Sequence, residues 1–175
     1  MSFEWENGRI LKNINTSDKA IQMSYDSNGM RTQKTVGGVK TNYYYDSDKN
    51  LIALVKGNDT LLFYYDSDGS ATSFSYNGTM YFYVKNLQGD VIRIIDLAGT
   101  EVASYVYDAW GNIKDTKGEP TIRELNPIRY RSYVYDTETG LYYLQSRYYD
   151  PLTGRFLNAD DAEFIGKTGT ALSGN

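Results

Sequence analysis

The chain has 175 residues, 41% of them hydrophobic, which is enough for one modest core. It contains no cysteine and no histidine, which excludes disulfide frameworks, Cys/His zinc centres and every mechanism that needs a thiol or an imidazole. Eighteen Lys and Arg stand against 22 Asp and Glu, a net charge of -4, and no basic stripe is present to neutralise a phosphate backbone, so nucleic acid is not an expected partner.

Tyrosine is over-represented: 18 Tyr with 6 Phe and 2 Trp, interrupted by 16 Gly and only 3 Pro, favour many short strands over helices. The opening residues, Met-Ser-Phe-Glu-Trp-Glu, carry neither a basic nor an apolar export region, and runs such as Leu51 to Val55 are far too short to span a bilayer. In chain order, turn signals then recur about every ten residues over the first hundred positions. They are Asn7-Gly8, Ser17-Asp18, Ser27-Asn28-Gly29, Gly37-Gly38, Ser47-Asp48, Gly57-Asn58-Asp59, Ser67-Asp68-Gly69, Asn77-Gly78, Gln88-Gly89 and Ala98-Gly99. Gly37-Gly38 and Asn77-Gly78 suit two-residue type I′ turns. Between the turns lie strand-like segments: Thr41 to Tyr45, Leu51 to Val55, Thr60 to Tyr65, Thr79 to Val84, Val91 to Ile95 and Val102 to Tyr107. The expected fold is all-β, a meander of antiparallel hairpins forming a curved strip over residues 1–108.

The deeper period is 20 residues, because Tyr25-Asp26, Tyr45-Asp46 and Tyr65-Asp66 precede alternate turns at that spacing, with Trp5-Glu6 one period upstream. Tyr83-Val84 loses the acid, Ile95-Asp96 is a partial match, and Tyr107-Asp108 restores the signature. In this reading each aspartate accepts backbone N–H bonds from its turn, and each tyrosine packs on the neighbouring hairpin. Residues 109–125, polar and holding Pro120, read as a connection. Residues 126–161 are again rich in tyrosine, with turns at Thr137 to Gly140 and Pro151 to Gly154, and include Tyr135-Asp136 and Tyr149-Asp150. Asn158 and the acids after it predict a short helix near the C-terminus, over 160–165; residues 162–175 form a tail whose last ten residues read as frayed.

The segments YDSNGMRT, YYYDSD, YYDSDG and YDAWGNI, and above all RYRSYVYDTETGLYYLQSRYYDPLTGRFLNADD from Arg129 to Asp161, resemble the Rhs or YD-repeat family and its repeat-associated core segment. The resemblance implies a β-sheet strip spiralling into a hollow shell, with the core segment closing one end. In polymorphic toxins and the C component of Tc toxins such a shell encloses a C-terminal toxin domain, and animal teneurins use a similar shell in adhesion. It further implies that the partners are the rest of the shell and a passenger following residue 175, in an extracellular or cell-surface parent. A strip cut from such a shell would expose strand edges and self-associate. Some members of the family cut themselves with an aspartyl protease-like activity. The acids in matching motif positions are Asp136, Asp150 and Asp160, with Arg129 and Arg131 as nearby cations, but the DPxGL-like cleavage segment is missing after Asp160-Asp161-Ala162-Glu163.

For Asp136 and Asp150 the simpler reading is turn capping, as at Asp26, Asp46, Asp66 and Asp108. Asp46-Ser-Asp48-Lys-Asn50 and Asp66-Ser-Asp68-Gly69 mimic the start of a calcium loop, yet the twelfth positions are Gly57 and Asn77 instead of an acid, so no metal is expected. Arg147, Arg155, Arg129 and Arg131 sit among aromatics and read as stacking or ion-pairing partners. The sequence thus predicts a non-enzymatic shell fragment without cofactors. Two alternatives stand beside it: a carbohydrate or cell-surface binding module built on exposed tyrosines, and a remnant of a self-cleaving core.

Overall fold

The computed structural model describes residues 1–7, 10–145 and 147–158. Twelve strands follow one another in a single antiparallel meander: β1 (Ser2–Glu6), β2 (Ile10–Asn15), β3 (Ala20–Tyr25), β4 (Arg31–Val36), β5 (Val39–Tyr45), β6 (Leu51–Lys56), β7 (Asp59–Tyr65), β8 (Ala71–Tyr76), β9 (Thr79–Lys85), β10 (Val91–Ile95), β11 (Glu101–Tyr107) and β12 (Ile113–Gly118). A six-residue helix, α1 (Pro120–Leu125), then leads to a second, four-stranded meander of β13 (Val134–Asp136), β14 (Leu141–Leu144), β15 (Arg147–Asp150) and β16 (Arg155–Phe156).

Residues 109–125 are therefore not a bare connection, as the sequence reading had it. Their polarity has a different cause. β12 is the last strand of the large sheet, with Lys114, Asp115 and Lys117 exposed, and charge on an outer strand is what discourages unwanted pairing. The Glu119 carboxylate accepts the Thr121 and Ile122 N–H groups and Pro120 sits at the first helical position, which together start α1. The helix expected over 160–165 lies outside the described residues.

Two kinds of turn recur along the large sheet. Gly37-Gly38 and Asn77-Gly78 take positive φ at both residues, as two-residue type I′ turns require. The turns after β3, β5, β7, β9 and β11 share a five-residue loop, and a meander places all of them along one edge of the sheet. In each, the leading Asx side chain accepts two backbone N–H groups. Asp46 Oδ1 bonds Asp48 N at 2.9 Å and Asn50 N at 2.8 Å, and Asp26, Asp66, Asn86 and Asp108 do the same.

The tyrosine before the loop has a specific task. The β4–β5 ladder stops at Gln33↔Asn42, so the strands splay at the loop edge while β5–β6 stays paired to Tyr45↔Leu51. Tyr45 Oη fills that gap by donating to the Arg31 carbonyl at 3.0 Å, and Tyr65 donates to Leu51 O, Tyr25 to Leu11 O and Tyr107 to Val91 O in the same way. A side chain replaces a lost ladder bond in the pairs β2–β3, β4–β5, β6–β7 and β10–β11, so the sheet can bend there without leaving a buried carbonyl unpaired, whereas at β8–β9 the residue before the loop is Lys85, whose Nζ donates to Ser70 Oγ.

The bend can be measured from the second sheet. Tyr142 and Tyr143 are consecutive in β14; Tyr142 Oη donates to Gly111 O beyond β11, while Tyr143 Oη accepts the N–H of Arg31 in β4. In a flat sheet seven strand steps of about 4.8 Å would separate those places by roughly 33 Å, which two neighbouring tyrosines cannot span. The large sheet therefore curls around β13–β16. The core between them falls in two clusters, one around Leu54, Phe63, Phe74, Ile94 and Tyr105 with Ile122 and Ile128, the other around Leu11, Ile14, Ile21 and Met23 with Leu141, Tyr143 and Tyr148.

Candidate functional site

The 20-residue period makes a break in it visible. Leu11, Leu51, Ala71 and Val91 hold equivalent buried positions at the loop edge of β2, β6, β8 and β10, and three residues further on stand Ile14, Leu54, Phe74 and Ile94. In β4 the same two places are Arg31, fully buried at 0% exposure, and Lys34. Cations thus replace hydrophobes at both core positions of one repeat.

Their counter-charge comes from the second sheet. Asp136, 1% exposed at the end of β13, receives Arg31 as a fork: Nη2 donates to Oδ1 at 3.0 Å and Nη1 to Oδ2 at 2.5 Å. Lys34 Nζ donates to Asp136 Oδ1 at 2.8 Å and to Glu138 Oε2 at 2.7 Å. The Arg31 guanidinium lies between the rings of Tyr43 and Tyr143, 4.6 and 4.4 Å from their centroids. Tyr25 and Tyr148 close the cluster with an Oη–Oη hydrogen bond of 2.9 Å. Among the described residues Arg31 Nε is the buried side-chain nitrogen that lacks a partner.

The electrostatics follow from this packing. Burial alone would raise the Asp136 carboxyl, but Arg31 and Lys34 outweigh it and hold the group down at about 2. Burial likewise opposes the charge on Lys34, and Asp136 overcomes it, so the ammonium is held above its ordinary value. A proton-sharing carboxylate pair needs two acids facing each other with no cation between them. Here the Lys34 ammonium lies between Asp136 and Glu138 and bridges them. The arrangement is an ionic lock between wall and core segment and does not resemble an acid–base centre.

The rest of the core segment is tied to the loop edge mostly through backbone carbonyls. Ser132 Oγ donates to Gly89 O, Tyr130 Oη to Ala109 O, Tyr149 Oη to Trp110 O, and Asn112 Nδ2 to Pro151 O, at 2.8–3.0 Å. The Arg131 N–H donates to the buried Asp90 carboxylate at 2.8 Å. Asn126 is fully buried and satisfied, accepting from Tyr83 Oη at 2.7 Å and donating to Ile128 O at 2.8 Å. Gly111 has φ +89, and a Cβ there would meet the Tyr130 ring at 2.6 Å, so only glycine allows this approach.

The candidates drawn from sequence do not form one site. Asp136 is not a turn cap by its side chain; its carbonyl accepts from the turn while the carboxylate is buried against Arg31 and Lys34. Asp150 is a turn acid, accepting Leu152 N at 2.9 Å and Thr153 Oγ1 at 3.0 Å. Arg129 stacks between Tyr105 and Tyr135, and Arg131 lies over Tyr130, so neither is a cation for Asp136. Asp160 lies outside the described residues. Tyr135 and Tyr149 repeat the Tyr-Asp signature without the splay-filling bond of Tyr25, Tyr45, Tyr65 and Tyr107. Both carboxylate oxygens of Asp46 are turned onto its own loop, which withholds them from a calcium ion. Arg31 and Lys34 were missed by motif reading; the signal that marks them is the interrupted apolar series at 11, 51, 71, 91 and 14, 54, 74, 94.

Comparison with known proteins agrees with this geometry. The chain is 42% identical over 159 residues to the tRNA3(Ser)-specific nuclease WapA of Bacillus spizizenii, a match covering 86% of this chain and 7% of that protein. It is 38% identical over 69 residues to the double-stranded DNA deaminase toxin A of Burkholderia cenocepacia, covering 39% of this chain and 5% of the relative. A solved TcdB2-TccC3-TEV structure superposes with a TM-score of 0.71 at 18% identity over 91% of this chain and 9% of that one, a likeness of fold. The chain thus spans under a tenth of the length of each of these three proteins. The model of the teneurin YD-shell matches residues 55–172, well over half of the sequence, and the chain belongs to that family.

Proposed function

We propose that this chain is a stretch of container wall together with the segment that closes it, and that in its parent protein it encloses and delivers a C-terminal toxin domain outside or on the surface of the producing cell. The wall works through shape; no residue of it is assigned a catalytic role. The observation that carries the reading is the ionic lock of Arg31, Lys34, Asp136 and Glu138, which fixes the core segment against the curled sheet. Relatives that match parts of this chain bear names of nucleases and of a deaminase toxin, and those names belong to far longer chains.

The test is protease protection of the passenger in the parent polypeptide. An enclosed domain resists digestion until the wall is unfolded by denaturant; digestion at the rate of the isolated domain would overturn the container reading. Intact mass after prolonged incubation separately tests the self-cleaving alternative, for which a single full-length species is the contrary result. A second reading, a glycan-binding surface, is favoured by Tyr44 and Tyr64, 20 residues apart and 50% and 42% exposed. Loss of binding to surface glycans on Tyr44→Ala with Tyr64→Ala would support it.

A further inference from the structure

We propose that a furrow on the outer face of β7, β8 and β9 binds one uncharged pyranose unit of a glycan; the proposal deepens the glycan reading above and rests on it. On the face turned away from the core segment the 20-residue period shows a second break. One series of positions there reads Asn13, Gln33, Ala53, Ser73 and Arg93, and the next reads Asn15, Thr35, Val55, Ser75 and Ile95. Within these series β8 is the strand with serine at both places. Phe74, between the serines, is in the core, so strand alternation turns Ser73 and Ser75 outward. The ladders set Ser73 between Tyr64 of β7 and Phe82 of β9, and Ser75 between Leu62 and Met80. Tyr64 and Leu62 are exposed on that face, yet Ser73 is 6% and Ser75 4% exposed. Small side chains between taller rows make a furrow along β8.

The floor of the furrow is polar and unsatisfied. Neither serine hydroxyl has a hydrogen-bond partner among the described residues. Neither is sealed from solvent, because Arg31 Nε is the described side-chain atom that is both sealed and unpartnered. Each Oγ therefore faces the opening. The hydroxyl of Tyr64 is unpartnered as well, whereas those of Tyr45 and Tyr65 on the inner face donate to carbonyls. Deeply placed hydroxyls without partners are costly unless an occupant completes them.

The walls and floor together select the occupant. β7 and β9 lie two strand spacings apart, about 9.6 Å. A flat ring touching both walls takes up roughly 7–8 Å. The surplus suits a puckered saturated ring, whose C–H faces stack on Tyr64 and Phe82 while its hydroxyls meet Ser73 and Ser75. An acyl chain would cover the walls and leave both serine hydroxyls unpaired. A peptide would bring N–H and C=O groups to a sheet face whose own backbone groups are already paired in the ladders. No charged side chain among the described residues stands in the furrow. Arg93 is on β10 beside Glu101, and Asp66 and Asp68 lie in the loop beyond Tyr65, where Asp66 accepts the N–H groups of that loop. An uncharged polyhydroxylated ring answers each of these features.

The test is titration of the full chain, followed by amide chemical shifts, with the uncharged sugars cellotriose, maltotriose, mannotriose and triacetylchitotriose. At least one is expected to bind with a Kd of roughly millimolar order or tighter, with shifts centred on residues 62–64, 73–75 and 80–82. Ser73→Val with Ser75→Val keeps strand-forming residues, fills the furrow and removes both hydroxyls; it should abolish binding without lowering the melting temperature. Ser73→Ala should weaken binding roughly three- to tenfold. Tyr44→Ala, on the far side of β6, should leave it unchanged. Hexanol and N-acetylphenylalanine amide stand for the acyl and peptide alternatives, and shifts of equal size from either would overturn the choice of a sugar. Absence of binding by all the sugars would overturn the proposal, and the broader glycan reading would then stand or fall on whole surface glycans. Binding that survives the double valine variant, or that Tyr44→Ala weakens as much as Phe82→Ala does, would overturn the furrow and leave that broader reading in place.

Discussion

Replacing Asp136 by Asn keeps the shape of the ionic lock and removes its anion. Arg31 and Lys34 then remain in the core with Glu138 as their one carboxylate, and Glu138 touches Lys34 alone. The size of the loss can be bracketed. A carboxyl held at about 2 against an ordinary 3.8 reports differential stabilisation of about 2 kcal/mol. Breaking a buried pair by removing one member costs about 3–5 kcal/mol, because the stranded charge has no solvent. For a domain of this size, that loss lowers the melting temperature by roughly 6–20 °C. Urea unfolding followed by far-ultraviolet circular dichroism gives the number, with the m-value checking that the folded state is otherwise intact. The companion variant replaces Arg31, Lys34 and Asp136 together by Leu, the residue found at positions 51 and 54 of the next repeat. It should recover most of the loss, since apolar packing commonly equals or exceeds a buried ion cluster. A loss below about 1 kcal/mol in Asp136→Asn, or a triple variant no better than the single one, would refute the reasoning.

Further outcomes follow from the same structure. The folded Asp136 carboxyl lies below its unfolded value, so its contribution is present above about pH 4 and lost as pH falls toward 2; acid titration of stability should show that loss in the native chain and not in Asp136→Asn. Tyrosines behave oppositely. Burial pushes Tyr25 and Tyr65 up to about 12, so stability is whole below pH 10 and falls between 10 and 12 by up to about 1.4 kcal/mol per pH unit for each such ring, seen as a delayed and cooperative rise of tyrosinate absorbance. Tyr45→Phe should cost about 1 kcal/mol in urea unfolding by leaving the Arg31 carbonyl unpaired, while Tyr44→Phe, on an exposed ring, should cost nearly nothing. Gly111→Ala should cost more than about 2 kcal/mol, since a Cβ would enter the Tyr130 ring at a left-handed position.

Much of the wall is legible from local chemistry. Gly, Asn and Asp at left-handed turn positions and tyrosines before them are properties of five consecutive residues, so the strands and the loop edge emerge from spacing alone. β12 and α1 were lost in a polar stretch because an outer strand needs no alternating hydrophobes on its free side and a six-residue helix has too few turns to show a period. Asp136 shows the opposite difficulty. Its neighbours Tyr135 and Thr137 look like those of a turn acid, but its environment is set by Arg31, 105 residues away, and no local pattern carries that information. The lock was readable only as two hydrophobes missing from a repeat.

The central claim is that the core segment sits on the loop edge of a sheet curled around it. A chain without cysteine allows it to be tested with two added thiols. Gln145 Nε2 donates to Lys49 O at 3.3 Å across that junction, whereas Leu97, 81% exposed, lies in a loop on the opposite edge. Treated as a dilute monomer with a short bifunctional thiol reagent, Lys49→Cys with Gln145→Cys should be cross-linked within one chain, as seen by intact mass and by peptide mapping, and Leu97→Cys with Gln145→Cys should not. Equal cross-linking of the two pairs, or none in the first, would contradict the account.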